Sequence, residues 1–298
     1  MKYLCVFGNP IKHSLSPLIH NFALRTLHLP FIYGRFCLDN GRQLKKTFFK
    51  LNLSGANVTV PFKEYAFKQA DELDSLAKEI EAVNTLLLLE DGKLKGYNTD
   101  GIGFLASISK LDGLDINANT LIANIAQNLT TPFSSALILG AGGSAKAIAC
   151  VLKKCGFRVQ VANRGDSKRE FYTSRNISYM LFSELTSLID SSTFDIVINA
   201  TSASLQGELP LEKQLLQNIF AHSKLVYDLM YATDLTPFLA LAKDCKIAYK
   251  DGKDMLLWQA AFALAIFCQP KSINHTTNHS QITNDIKHIF SLMSQAIL

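Results

Sequence analysis

The sequence predicts an α/β protein of two domains. Three observations carry that expectation. The chain has 298 residues, too many for one typical domain and enough for two that each bury a core. Apolar runs with strand character alternate with runs of helical spacing. Finally, a glycine-rich turn, Gly140-Ala141-Gly142-Gly143-Ser144-Ala145, separates one such strand from one such helix.

Composition excludes several classes. With 48% hydrophobic and 18% charged residues, the chain suits a globular protein without disordered bulk. The net charge is only +5, with no Lys/Arg cluster longer than a pair and no basic-aromatic array. Nucleic acid is therefore not an expected partner, whereas small anionic ligands are. Six cysteines (Cys5, Cys37, Cys150, Cys155, Cys245, Cys268) show no CxxC spacing and read as reduced, core-lining thiols. The first apolar run, Tyr3 to Phe7, is too short for a signal peptide. The longest, Met255 to Phe267, is interrupted by Gln259 and falls short of the roughly 20 residues that span a bilayer. A cytoplasmic protein with no membrane contact is expected. No metal is expected either, because His275 and His279 lie in a loop-like segment without a third ligand.

Residues 3–7 read as a buried strand ended by Gly8-Asn9-Pro10. Ser14 and Ser16 then precede Pro17 and a helix over 18–28. One serine would serve as a helix cap, but two hydroxyls beside open helix-start N–H groups also suit a carboxylate. A strand over 31–38 and a basic amphipathic helix over 42–50 follow. In Asn57-Val58-Thr59-Val60-Pro61-Phe62-Lys63 the valines face one way and Asn57 and Thr59 the other. Pro61 ends that strand, which places Lys63 at its carboxyl edge, where open α/β sheets keep their chemistry. Taken alone, such a lysine reads as a solvated charge. A helix from Lys63 to about Glu81 is predicted next, then a hairpin over 86–89 and 93–97 around Glu90-Asp91-Gly92. Asn84 reads as a turn or cap residue, and Asp100 as a cap for a helix over 102–108. Residues 112–132 turn to Asn, Thr and Gly and are expected on the surface near a domain boundary.

The second half opens with a strand over 135–139. Gly140, Gly142 and Ala145 fit GxGxxA, the following helix carries Ala145, Ile148, Ala149 and Leu152 on one face, Gly156 stops it, and a strand over 157–162 comes next. Strand, glycine turn, helix and strand in this order indicate a doubly wound, Rossmann-type dinucleotide domain. Where an NAD site carries an acid for the ribose 2′-hydroxyl, this chain has Asn163-Arg164. A guanidinium stacks on adenine and pairs with a 2′-phosphate, which favours NADP. Lys168 would add a second charge, whereas Asp166 could accept from an unphosphorylated ribose, so NAD stays open. Strands over 194–199, 224–229 and 246–249 continue the alternation, with the turn Ala200-Thr201-Ser202 after the first. The helix over 255–268 is apolar nearly all round and therefore buried, and Gln259 within it needs a partner. A last amphipathic helix carries Ile286, Ile289, Phe290, Met293 and Ile297.

Ser14/Ser16, NVTVPFK ending at Lys63, AVNT around Asn84, NTD ending at Asp100, GAGGSAK, NR, NATS, and DLMY followed by MLLWQA occur in this order. With that conjunction the chain resembles the shikimate dehydrogenases over nearly its full length. The resemblance implies a reversible NADPH-dependent reduction of 3-dehydroshikimate to shikimate, in the route to chorismate and the aromatic amino acids. It implies that Lys63 and Asp100 are the catalytic pair, that Ser14 and Ser16 hold the substrate carboxylate with Tyr231 nearby, and that Thr59, Asn84 and Gln259 bind ring hydroxyls. It assigns the cofactor to Gly140, Ala141, Gly142, Gly143, Ser144, Ala145, Asn163, Arg164, Lys168, Thr201 and Gly252. The alternation of strands and helices in the first domain argues an N-terminal α/β substrate domain with a mainly parallel sheet; the same map gives residues 1–110 rejoined by 253–298 for that domain, with the cofactor domain inserted as 111–252, and a monomer or homodimer is expected. Three departures stand out: Gly165 where the family commonly has threonine, Lys168 where arginine is common, and the length of 112–132. Two alternatives remain, a quinate/shikimate dehydrogenase using NAD and a non-catalytic nucleotide-binding regulatory relative. The latter would be expected to lose Lys63 or Asp100. A folate-processing dehydrogenase of similar layout would not need the paired serines.

Overall fold

The computed structural model describes residues 1–109, 133–188, 193–268 and 286–297. The segment 112–132 and the loop with His275 and His279 lie outside the described residues. The chain forms two compact units, one drawn from Met1–Gly103 and Leu257–Leu298, the other from Phe104–Leu111 and Ile125–Leu256.

The first unit runs β1 (Lys2–Gly8), α1 (Ser16–Thr26), β2 (Phe31–Cys37), α2 (Leu44–Lys50), β3 (Leu53–Val58), α3 (Lys63–Gln69), β4 (Glu72–Leu73), α4 (Ser75–Ile80), β5 (Thr85–Leu88) and β6 (Leu94–Tyr97), then enters α5 (Asp100–Ile108). Its sheet has the order β2-β1-β3-β5-β6-β4. β1 is parallel to β2 and β3, and β4 to β6, while β5 alone runs antiparallel to its neighbours. The sheet is thus mainly parallel, with a hairpin let into it. Phe7, Leu44, Phe48, Val58, Phe62 and Leu86 form its core.

Two details differ from the sequence expectation. β3 starts four residues earlier, at Leu53, and stops at Val58. Leu-Ser-Gly-Ala carries little strand propensity, but Gly55 is required there: a Cβ on it would lie 2.5 Å from Phe267. Past Val58, the Thr59 N–H still donates to Phe7 at 2.8 Å, and the Phe62 N–H then folds back onto the Thr59 carbonyl at 2.9 Å. The expected helix from Lys63 to Glu81 breaks into α3, β4 and α4. Asp71 causes the break, its N–H donating to the Leu94 carbonyl at 2.8 Å and its carboxylate accepting the Leu94 N–H at 2.9 Å. Asp74 then caps α4 through the Ala77 N–H at 2.9 Å. Apolar spacing does not register two aspartates that compete for backbone N–H groups.

The second unit runs β7 (Ser135–Leu139), α6 (Gly143–Lys154), β8 (Arg158–Asn163), α7 (Arg169–Thr173), β9 (Ser178–Leu181), β10 (Ile196–Asn199), α8 (Lys213–Phe220), β11 (Leu225–Asp228), α9 (Pro237–Asp244) and β12 (Ala248–Lys250). All pairings are parallel, in the order β12-β11-β10-β7-β8-β9. The chain starts in the middle and winds outward in both directions, which is the doubly wound dinucleotide-binding order. The short strand β9 and helices α7, α8 and α9 escaped the sequence reading. Phe194, Val197, Phe220, Val226 and Phe238 fill one side of this sheet.

Two helices complete the described chain, α10 (Lys253–Phe267) and α11 (Ile286–Gln295). Trp258 of α10 stacks on Phe290 of α11 with centroids 4.1 Å apart. In α1, fully buried His20 stacks on Tyr33 of β2 with centroids 4.2 Å apart. Among the described residues, no helix is long and apolar enough to cross a membrane.

Candidate active site

In the first unit, chemistry-bearing residues gather at one edge of the sheet. β1 and β3 leave there, β5 enters there, and β6 leaves there, because β5 is antiparallel to β3 and β6. Lys63 opens α3 beyond β3, and Asp100 opens α5 beyond β6. Their side chains form a salt bridge, with Lys63 only 8% and Asp100 only 4% exposed. Asp100, which the sequence reads as a cap, is instead the first residue of α5; Asn98 Oδ1 accepts its N–H at 3.0 Å while Asn98 Nδ2 donates to the Ala82 carbonyl at 2.8 Å. That leaves the Asp100 carboxylate to face Lys63.

Asn84 connects the pair to its surroundings. Its Nδ2 donates to Asp100 Oδ1 at 2.7 Å and lies 3.4 Å from Gln259 Oε1. Its Oδ1 accepts the Thr99 N–H at 2.9 Å and the Thr85 hydroxyl at 3.0 Å. Gln259 reaches this cluster because α10 crosses α5 at Gly103, where a Cβ would lie 2.8 Å from Gln259 Cβ and N. A second layer supports Asn84. Asn57 donates to the Asn84 carbonyl at 3.2 Å and to Thr85 Oγ1 at 3.0 Å, and accepts the Tyr33 hydroxyl at 2.7 Å. Sequence reasoning missed Tyr33, Thr85, Asn98 and Thr99. The available signal was the polar character of Asn57 on a strand, since a buried amide must find partners.

Of the other expected substrate residues, Ser14, Ser16 and Thr59 stand at the same edge, after the ends of β1 and β3. Ser16 is buried and Ser14 half-buried. The Ser14 hydroxyl accepts the Ser16 N–H at 3.3 Å, but the cap position of α1 is Leu15 and makes no side-chain cap bond. The helix-cap reading of the serines is therefore corrected to a local turn. Thr59 adjoins the exit of β1: a Cβ on Gly8 would fall 2.5 Å from its Cγ2. Tyr231 belongs to the second unit, half-buried in the loop after β11.

The cofactor candidates of the second unit cluster at the carboxyl ends of its strands. Gly140 has φ +102°, and a Cβ there would sit 3.0 Å from the Ala200 carbonyl group, so any other residue would be strained there. Gly142 is exposed, and a Cβ on it would meet nothing within 4 Å. Its open side, with Gly143 and Ser144 starting the 12-residue α6, gives backbone N–H groups and a helix dipole that suit a pyrophosphate. Ala141 and Ala145 are buried beneath that turn. Gly252 is required in another way, because a Cβ on it would lie 2.1 Å from the Leu229 carbonyl oxygen.

Thr201 is held by Asn199, whose Oδ1 accepts the Thr201 N–H at 3.1 Å and its hydroxyl at 2.7 Å. Asn199 in turn donates to Asp228 at 3.2 Å. The fully buried Asp228 carboxylate also accepts from Ser204 at 2.6 Å, Thr236 at 2.7 Å and the Met230 N–H at 3.1 Å. Burial pushes its pKa above the usual carboxylate value, against the pull of these donors. After β8, Asn163 donates to the Gly165 carbonyl at 3.0 Å, Arg164 is exposed, and half-buried Lys168 sits at the cap of α7. Asp166, the acid that would select a free ribose in the NAD alternative, is paired with Arg169 at 2.6 Å. Among the described residues, no cluster of three or more His, Cys, Asp or Glu side chains could hold a metal ion.

The second unit is a doubly wound sheet of the dinucleotide-binding class, and the first carries a buried lysine–carboxylate pair ringed by amides and hydroxyls. Comparison with known proteins narrows the class. Residues 6–86 match the family described as the shikimate dehydrogenase substrate binding domain, and residues 121–240 match shikimate / quinate 5-dehydrogenase. The chain is 46% identical over 271 residues to the shikimate dehydrogenase (NADP(+)) of Helicobacter pylori, covering 90% of this chain and 92% of that one. Among solved structures it resembles the shikimate dehydrogenase of Aquifex aeolicus, with 31% identity, a TM-score of 0.75, and coverage of 100% of this chain and 97% of that one. It also resembles the Thermus thermophilus shikimate 5-dehydrogenase in complex with NADP(H) and shikimate, with 27% identity, a TM-score of 0.71, and coverage of 97% and 100%. The chain belongs to the shikimate dehydrogenase family of oxidoreductases, as its motifs suggest.

Proposed function

We propose that the protein catalyses the reversible reduction of 3-dehydroshikimate to shikimate with NADPH, a step toward chorismate and the aromatic amino acids. NADPH, when bound, supplies the hydride that adds to the ketone carbon. Lys63 gives the proton that the resulting alkoxide oxygen takes up, and accepts it back in the reverse direction; Asp100 holds the Lys63 ammonium in place. Ser14 and Ser16, with Tyr231, bind the substrate carboxylate. Thr59, Asn84 and Gln259 take the ring hydroxyls, for which a dry, amide-lined site is selective because each unpaired hydroxyl costs about 1–3 kcal/mol. Gly140, Ala141, Gly142, Gly143, Ser144, Ala145, Asn163, Arg164, Lys168, Thr201 and Gly252 hold the cofactor. Residues 1–110 with 253–298 act as the substrate domain and 111–252 as the cofactor domain. The same reading puts the protein in the cytoplasm as a monomer or homodimer, with neither nucleic acid nor membrane as partner.

The observation that carries this reading is the buried Lys63–Asp100 pair bonded through Asn84 to the neighbourhood of Gln259. A regulatory relative without catalysis has no use for a buried charge pair left in this arrangement. The test is the absorbance change of NADPH on adding 3-dehydroshikimate, with the four combinations of shikimate or quinate and NADP or NAD in reverse. Saturable turnover favouring shikimate and NADP is expected. A higher kcat/KM for quinate with NAD would replace the proposal.

A further inference from the structure

We propose that Arg169 makes the nucleotide turn selective for a 2′-phosphate, by holding the Asp166 carboxylate out of the position in which it would select a free 2′-hydroxyl. The inference rests on the reading above that the second unit takes NADP(H), and adds a positioning residue to it.

In a doubly wound sheet, an acid beyond the second strand accepts from the ribose 2′-hydroxyl and repels a 2′-phosphate. Here that strand is β8, and Asp166 is the one acidic residue between its end at Asn163 and the start of α7 at Arg169. Left to itself, it would oppose the charges of Arg164 and Lys168 on either side. Arg169 prevents this. Its Nε bonds Asp166 Oδ1 at 2.6 Å, its Nη1 donates to the Tyr179 carbonyl at 3.1 Å, and its guanidinium carbon lies 5.1 Å from the Tyr179 ring centroid. The guanidinium is therefore anchored on β9, and Asp166 is anchored through it. Tyr179 also fixes the turn from below: its hydroxyl donates to the Gly165 carbonyl, which Asn163 Nδ2 reaches at 3.0 Å. The turn thus keeps its shape although Gly165 supplies no hydroxyl of its own.

An exposed ion pair contributes little to folding; the side chains here are 36% and 59% exposed. Losing Arg169 should therefore register in cofactor choice and hardly in stability. The experiment compares wild type, Arg169→Gln, Arg169→Lys and the double variant Asp166→Asn/Arg169→Gln by steady-state kinetics with NADPH and NADH, alongside melting temperature. With Arg169→Gln, the KM for NADPH should rise about tenfold through the freed like charge, while kcat, the melting temperature and the KM for NADH do not rise. Arg169→Lys should recover part of the loss, and the double variant most of it, because the freed carboxylate is gone. Equal increases in KM for both cofactors, or a double variant no better than Arg169→Gln, would reduce Arg169 to a structural strut and overturn the proposal. A wild-type enzyme indifferent to the 2′-phosphate would instead remove the NADP reading, and this inference with it.

Discussion

The lysine–aspartate pair of the first unit and the nucleotide turn of the second hold charge by opposite means. Lys63 and Asp100 are 37 residues apart in sequence, and the Asn84–Gln259 contact spans 175; every partner arrives on a different element, and the pair is closed to solvent. The turn after β8 is tied by bonds spanning 2, 3, 10 and 14 residues, and its charges face water. In the first place a lost partner strands a charge in a dry interior. In the second, water takes the partner's place. The same kind of substitution should thus damage fold and turnover together at one site, and affinity alone at the other.

The largest effect is expected from Lys63→Ala. Removing the proton donor should lower kcat by about 10²–10⁴-fold, and leaving Asp100 buried without its cation should cost about 3–5 kcal/mol in urea unfolding. Near-wild-type turnover would take Lys63 out of the mechanism, and unchanged stability would break the contrast. Asn84→Ala comes next: the Thr99 N–H loses its acceptor and Asp100 its 2.7 Å donor, so stability should fall by about 1–3 kcal/mol, with kcat/KM falling as well. The smallest change in fold is expected from Arg164→Ala, which should raise the KM for NADPH about tenfold and leave the urea midpoint where it was.

The strand-helix alternation, the glycine turn and the residues at strand ends were legible because each follows from a local rule: a φ above zero at Gly140, a helix start at Gly143, a strand stopped near Pro61. What was not legible depends on remote pairing. Asp100 looks like a cap until Lys63 pairs with it across 37 residues, and Asn84 like a turn residue until Asp100, Thr99 and Thr85 converge on it. The break between α3 and α4 arises from the bonds between Asp71 and Leu94 on a neighbouring strand, which no periodicity within residues 63–81 contains. The Asp166–Arg169 pair is local, but its meaning depends on β9, a four-residue strand too short to announce itself.

His20 carries a consequence for acid tolerance. It is fully buried, and neither ring nitrogen has a hydrogen-bond partner among the described residues. Burial pushes its pKa down to about 3. The folded protein thus keeps the ring neutral where the unfolded chain, with a pKa of about 6.5, takes up a proton. Because the folded value is the lower one, stability is complete above about pH 6.5 and drains away as the pH falls toward 3, at up to about 1.4 kcal/mol per pH unit. His20→Phe keeps an aromatic ring against Tyr33 and should make the slope between about pH 6.5 and 5 shallower, as read from urea unfolding at neutral and mildly acidic pH; an unchanged slope there would remove His20 from the acid sensitivity. Part of the protein's loss of stability in acid thus comes from a side chain with no part in the proposed chemistry.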